Sequence, residues 1–546
     1  MNNLAKRILS HPLIHQRYWL QVVAIGLLAS LALFVYGVPY GMDLPHHFRL
    51  AQGFVDSIRG GDFYPSWLSS PNGGYGDPSV RFYPPLLYYL LSLFRLVTGD
   101  WYAGTVLTLS LLTVIGGLGM YLWVSAFIEP RYAVLAALVY TFTPFHANEM
   151  YQAGMYAQYA AASVLPFVFA FTERIIANHR WRDAGGLGLS YGMLVLSNLP
   201  LALLGSLAVS IYVVVRLAQT FTWRSLYQLV AGALSGLAFS SCFWLPMLIE
   251  LKWKSPSGSG QARWFDYKEN FIFHASPNEM GDYWIPIITT ATLLLALPAL
   301  ILLARGIRKA LAPAVVALVT FLLATTISKP LWDAFPALQE TQFPWRWLTI
   351  TSACLAALVA ISLPELARMR RTRLRPLALV LFGIPVIVVS FTILQVIRPA
   401  IFQHRSTFDQ MVLSLSGSET NKDFLPVWVS GKPPAMAEPV EAAARVVHVT
   451  EWSAKRREFT IAAGNPTEAR LRIFYYPYWK ATADGNKLIT KPADDGALLV
   501  NIPSNASTVK VEFVEPKSSY VAGILSALGL LAIALLFAQQ TFRRAH

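Results

Sequence analysis

Phe82-Tyr83-Pro84-Pro85-Leu86-Leu87-Tyr88-Tyr89-Leu90-Leu91-Ser92-Leu93-Phe94-Arg95-Leu96-Val97 is apolar enough to pass for a membrane span, and whether it crosses sets the side on which every later loop lies. If it stays on one side, the loops carrying Arg131, Arg174/Arg180/Arg182, Arg216/Arg224, Arg305/Arg308/Lys309, Arg368/Arg370/Arg371/Arg373/Arg375 and the tail Arg543/Arg544 all share a side with the N-terminus. If it crosses, every one of them is exported, against the rule that Lys and Arg stay on the cytoplasmic side. The stretch is therefore expected as a re-entrant or interface-lying helix, broken at its entry by the proline pair, with both chain ends in the cytoplasm.

The rest of the chain supports a polytopic membrane protein. Of its 546 residues 55% are hydrophobic and 14% charged, against about 25% charged in an ordinary soluble domain. Mean hydropathy is +0.45. Apolar runs at 18–38, 102–127, 132–145, 159–176, 184–196, 201–215, 226–249, 284–303, 310–327, 347–363, 377–396 and 520–538 give about twelve candidate transmembrane helices. The first follows Lys6, Arg7 and Arg17 and exceeds a signal-peptide core in length, so it is expected as a retained anchor. The net charge of +14 sits mostly in short loops, where it orients the protein and lends nucleic-acid binding no support. Cys242 and Cys354 lie in separate apolar runs and indicate neither a disulfide framework nor a cysteine metal site.

The expected organisation is a helical membrane domain over 1–397, with exported loops 39–101, 146–158, 251–283 and 328–346. Residues 398–519 form an extracytoplasmic domain, and 520–546 a last helix and cytoplasmic tail. The 398–519 segment is polar, with alternation in Arg470-Leu471-Arg472-Ile473-Phe474 and Thr508-Val509-Lys510-Val511-Glu512-Phe513 and a turn signal at Asp484-Gly485-Asn486, which predicts a small β-sandwich.

The apolar runs are nearly free of charge while the exported loops hold acids, histidines and arginines, so the chemistry belongs at the outer interface. Asp43, just past the first helix, is a candidate base; its plainer role is to cap a helix beginning Leu44-Pro45. His46 lies close to one helical turn on, facing the same cavity or sharing a divalent metal with Asp43, and His47 adjoins it; hydrogen-bonding surface is the plainer role for this pair. No other cofactor is indicated. The second exported loop offers Glu149 as a second carboxylate, with Gln158 nearby. In Glu340-Thr341-Gln342-Phe343-Pro344-Trp345-Arg346-Trp347 an arginine stands between two tryptophans, suited to a lipid phosphate while the indoles anchor at headgroup level. Arg81, beside Tyr83-Pro84-Pro85, is a second candidate for that phosphate.

Asp43-x-x-His46, Gly-Asp-Phe-Tyr-Pro-Ser-Trp at 61–67, Gly-Tyr-Gly-Asp-Pro at 74–78, Phe-Tyr-Pro-Pro-Leu at 82–86 and Gln-Phe-Pro-Trp-Arg at 342–346 together resemble the bacterial membrane proteins named 6-pyruvoyl-tetrahydropterin synthase-related. These are similar to the YfhO-like group of GT-C-type glycosyltransferases. Phe474-Tyr475-Tyr476-Pro477-Tyr478-Trp479-Lys480 resembles that group's outer β domain. The zinc-binding histidine set of a soluble pterin synthase is not found.

The resemblance implies a GT-C fold in a bacterial cytoplasmic membrane and an inverting glycosyltransferase acting on the outer face. It would use a polyprenyl-phosphate-linked sugar donor and a glycan, lipid or protein acceptor, with membrane lipid around it. By that analogy Asp43 is the base, Arg346 and Arg81 hold the donor phosphate, and His46, His47, Tyr83, Trp345, Gln158 and Glu340 contact donor or acceptor. Leu44 stands where many GT-C enzymes carry a paired acid, and Gln158 where relatives carry a glutamate, so a second carboxylate is Glu149 or Glu340. A lipid-linked glycan flippase and a non-catalytic scaffold for envelope assembly remain the alternatives.

Overall fold

The computed structural model describes residues 12–255, 265–275, 283–369, 375–420, 424–431, 436–443 and 445–542. Lys6, Arg7, Arg370, Arg371, Arg373, Arg543 and Arg544 lie outside these, as do parts of the 251–283 loop. Every apolar run is helical, but the runs are not equal. Among the described residues seven helices are long and apolar enough to cross a membrane, or eight if the pair Trp223–Phe239 and Ser241–Trp253, bent by 66°, counts as one span. Others are short: Pro130–Thr141 has 12 residues and Leu311–Leu323 has 13. At 1.5 Å per residue these reach about 20 Å against a hydrocarbon core of about 30 Å.

Breaks in the runs have local causes. In the first run Ser30 Oγ donates back to the Gly26 carbonyl at 2.9 Å, and the helix Pro12–Ala29 gives way to the short Leu31–Val35. The bent pair turns at Ser240, whose hydroxyl does the same to Gly236. The stretch at 82–97 becomes the helix Leu86–Thr98, entered through Pro84-Pro85 and stopped by Gly99 at φ 82. Its 13 residues are too short to span. Gly99 and Asp100 then turn the chain into Trp101–Val124, whose first amides are capped by Asp100 and, from far along the chain, by Asp409.

Burial divides the long helices into two kinds. Tyr156–Asn178 and Pro344–Met369 have 78% and 89% of their apolar windows inside the protein, whereas Arg375–Ile397 and Lys517–Gln539 have 22% and 17%. The first two form the centre; the last two present leucines and isoleucines outward, where lipid covers them.

The strands beyond the helical part form a two-sheet sandwich. One sheet is ordered Val440–Glu441, Thr467–Phe474, Ala497–Ile502, Thr490–Pro492, and the other Val447–Trp452, Arg456–Ile461, Ser507–Phe513, Trp479–Ala483, Asn486–Leu488, with antiparallel neighbours throughout. Inward positions alternate along both, Ala469, Leu471 and Ile473 on one and Val509, Val511 and Phe513 on the other, and they share one core. The sandwich strands occupy 440–513. Earlier in the polar segment, Phe402–Gln403 pairs with Val38–Pro39, and the helix Arg405–Ser414 packs Phe408 and Val412 into the core formed by the membrane helices.

The loop after the first helix joins the helical part to the sandwich. Trp67 is fully buried in the sandwich core, edge-on to Trp479 at 5.4 Å. Gly76 has φ 84, and a Cβ there would lie 2.5 Å from the Trp67 indole nitrogen, so the Gly-Tyr-Gly-Asp-Pro string is a fitted turn around that tryptophan. Buried Asp77 accepts from the Ser79 amide at 2.6 Å and starts the next turn, which carries Arg81 and Tyr83.

Candidate functional site

Asp43 stands at the N-cap position of the helix Leu44–Arg59, yet its side chain makes no cap bond. No hydrogen bond or ion pair ties its carboxylate among the described residues. The backbone is what holds it: the Asp43 amide donates to the Ala153 carbonyl at 3.0 Å, and its own carbonyl accepts from His47. That grip depends on two glycines. A Cβ on Gly41 would fall 2.4 Å from the Gly154 nitrogen, and Gly154 itself has φ 66. Gly41→Ala is therefore expected to drive the segments around residues 41 and 154 apart, lowering stability by about 1–3 kcal/mol in detergent unfolding.

Around Asp43 gather residues from four separate parts of the chain. The His46 ring lies 5.7 Å from Tyr83, edge to face, and 6.1 Å from Phe424, stacked. Arg346 is close enough for its charge to act on Asp43, Tyr83 and Glu149. It makes no ion pair with either acid among the described residues; one guanidinium nitrogen donates to the Thr341 carbonyl at 2.7 Å, the ring of Phe343 lies 4.8 Å away, and Nε has no partner. Asp43, His46, Tyr83 and Arg346 all keep accessible surface while lying deep in the protein, so they line an inward recess. Burial pushes the Asp43 carboxyl up to about 6, with the Arg346 charge opposing, and lowers His46 to about 4, the charge of Arg49 adding to the effect. Near neutral pH the recess therefore holds an ionised carboxylate and a neutral imidazole.

Glu149 is wholly buried in the turn Glu149–Ala153. Gln158 donates to its Oε1 at 2.7 Å, Thr349 at 3.3 Å, and Oε2 is unpartnered 3.9 Å from His146 Nδ1. Burial raises Glu149 to about 8 against these hydrogen bonds and the Arg346 charge. The folded protein thus holds this proton where the unfolded chain, near its usual value of about 4.3, has lost it. Glu149's contribution is whole below about pH 4 and falls away as pH rises to 8, at up to about 1.4 kcal/mol per unit. Glu149→Gln is expected to flatten that decline in melting temperatures taken at pH 5, 6.5 and 8.

The remaining candidates divide. Gln158 adjoins Glu149, so the glutamine that departs from the relatives' pattern sits beside a carboxylate from the preceding turn. His47 lies behind the recess, buried, stacked on Tyr156 at 5.8 Å and 3.5 Å from the Tyr88 hydroxyl. Trp345 and Trp347 do not anchor at headgroup level: both are buried, and Trp345 stacks on Phe343 at 4.8 Å, because the helix they begin lies at the centre of the bundle. Glu340 is exposed after the turn Pro336–Gln339. Arg81 is committed elsewhere. Its guanidinium grips buried Glu250 with two nitrogens, at 2.5 and 2.6 Å, and Glu515 with a third at 3.2 Å. Asp43 and His46 amount to two metal ligands, and no cluster of three or more His, Cys, Asp or Glu is found among the described residues.

Three contributors went unread in the sequence. Thr349 is one helical turn after Arg346, a spacing that was visible. Glu250 ends an apolar run, which marks an acid at the membrane boundary. Phe424 comes from the segment leading to the sandwich, and no local pattern announces it.

Residues 80–397 match the model of a family described as the 6-pyruvoyl-tetrahydropterin synthase related domain, membrane protein. No curated protein matches the chain. Among solved structures it is similar to the arabinofuranosyltransferase AftD from Mycobacteria, with a TM-score of 0.45 and 16% identity over 70% of this chain and 26% of that one. It is also similar to ArnT from Cupriavidus metallidurans bound to undecaprenyl phosphate, at 0.41 and 14% over 72% and 75%. A third is the apo oligosaccharyltransferase of Archaeoglobus fulgidus, at 0.40 and 14% over 73% and 56%. The chain spans about a quarter of the first of these and little over half of the third. Scores this low bear on neither the fold nor the chemistry.

Proposed function

The chain belongs to the 6-pyruvoyl-tetrahydropterin synthase-related family of membrane proteins, and we propose that it is a GT-C-type glycosyltransferase moving a sugar from a polyprenyl-phosphate carrier to an acceptor hydroxyl at the outer face of a bacterial cytoplasmic membrane. The observation that carries this reading is a carboxylate, Asp43, and a guanidinium Nε, Arg346, that both lack a hydrogen-bond partner among the described residues and face one recess.

In the proposed step the acceptor oxygen attacks the anomeric carbon and passes its proton to Asp43. The new carbon–oxygen bond forms as the bond to the carrier phosphate breaks, and the phosphate leaves with the electron pair. Arg346 stabilises the charge that collects there. A single displacement inverts the anomeric centre. Glu149 supports the step by staying neutral: an ionised carboxylate beside Arg346 would cancel the charge meant for the phosphate. His46, Tyr83 and Phe424 supply ring faces and a hydroxyl against which a sugar can pack.

The test is transfer in proteoliposomes. Given a panel of labelled polyprenyl-phosphate sugars and membrane glycan as acceptor, the wild-type protein is expected to release free polyprenyl phosphate from one of them. Absence of release across the panel, with the protein folded, overturns the proposal.

A further inference from the structure

Arg81 sits at the meeting point of the first exported loop, the helix Ser241–Glu250, the sandwich and the start of the last helix. Glu250, fully buried, receives two guanidinium nitrogens of Arg81 on one side and the hydroxyls of Tyr476 at 2.7 Å and Tyr478 at 3.2 Å on the other. Glu515 receives the third nitrogen and is also bonded by Ser66 and Ser519. Lys455 of the sandwich approaches Glu515 at 3.8 Å and pairs with Asp62 of the loop at 2.8 Å. The Arg81 guanidinium also packs on the rings of Tyr478 and Phe513, 5.2 and 5.7 Å away.

The consequence for the recess comes through the backbone. Arg81 donates its amide to Pro78, and both Phe82 and Tyr83 donate theirs to the Ser79 carbonyl, so Arg81 and Tyr83 are two residues of one hydrogen-bonded turn. An arginine held by fork geometry on one carboxylate and by a second acid on its remaining nitrogen has little freedom, and neither has the turn it belongs to. Tyr83, in turn, is a wall of the recess, edge-on to His46 and Phe424.

We propose that Arg81 is a positioning residue: its grip on Glu250 and Glu515, closed from the sandwich side by Tyr476 and Tyr478, fixes the turn that carries Tyr83, so that the outer domain sets the geometry of the recess. The outer domain is then part of the site's frame. In so far as Tyr83 serves a reaction, the inference rests on the proposed function; the mechanical joint does not.

Arg81→Gln alone leaves Glu250 buried with a charge that nothing neutralises, and is expected to lower the melting temperature for that reason. The informative protein is Arg81→Gln/Glu250→Gln, in which that charge is gone, one of the two tyrosines still donates to the amide oxygen, and the hydroxyl of the other accepts from the amide nitrogen. Its melting temperature is expected to recover towards wild type. Its 77–83 amides are nevertheless expected to exchange with deuterium about tenfold faster than wild type, and its affinity for undecaprenyl phosphate to fall about tenfold. Arg81→Lys, which keeps the charge and loses the fork, should exchange at an intermediate rate. A double variant with wild-type exchange at 77–83 overturns the proposal, for Arg81 would then serve only to balance charge. If the wild-type protein itself fails to bind the probe, the transferase reading falls, while the exchange data still decide the joint.

Discussion

Asp43→Asn is expected to slow sugar transfer by about 10²–10⁴-fold, the range for losing a general base, with affinity for polyprenyl phosphate undiminished and the protein at least as stable as wild type. The stability half follows from the same burial that makes the group useful. A carboxyl held up at about 6 costs the folded protein free energy at neutral pH, because the unfolded chain ionises it more readily. Replacing it with an amide removes that cost and breaks no hydrogen bond to any of the described residues. In wild type the rate should climb as pH rises through about 6 and then level off, as Asp43 gives up its proton. Unchanged transfer by the asparagine variant would remove Asp43 from the chemistry.

Arg346→Ala is expected to weaken polyprenyl-phosphate binding by about 10–100-fold, corresponding to about 1.5–3 kcal/mol for hydrogen bonds to a charged group. Arg346→Lys should fall between, because a lysine keeps the charge and loses the planar fork. A second consequence separates a site role from a merely structural one. The Arg346 charge holds the Asp43 carboxyl down against its burial, so without it the acid limb of the pH–rate profile should move to higher pH. Titration calorimetry checks the first effect, and rates measured between pH 5 and 8 check the second.

How much of this could be read from sequence follows the range over which residues act. Asp43, His46 and Arg346 were legible because each stands beside the end of an apolar run, where a charged or titratable group has few structural uses. The loop-charge argument over 82–97 fits the short helix Leu86–Thr98, since residue composition at loop ends is a local property. Arg81 was a different case. An arginine next to Tyr-Pro-Pro reads as a phosphate ligand until Glu250 and Glu515 are seen against it, and those acids are 169 and 434 positions away. The family motifs were similarly opaque. Trp67, Gly76 and Asp77 build the joint to the sandwich, and nothing in their spacing distinguishes a joint from a binding loop. Apolar runs record which residues avoid water, while helix length depends also on local breakers, which is why Pro130–Thr141 and Leu311–Leu323 are shorter than their runs.

The meeting of Asp43 and Arg346 over a carrier phosphate is best examined in a cryo-EM map of the purified Asp43→Asn protein in nanodiscs with an added polyprenyl-phosphate sugar. The phosphate is expected within hydrogen-bonding distance of the Arg346 guanidinium, with the sugar between it and residue 43, packed against His46, Tyr83 and Phe424. Density for the phosphate at any other place, or a recess open to both leaflets, would contradict the assignment of this protein as a transferase working from its outer face.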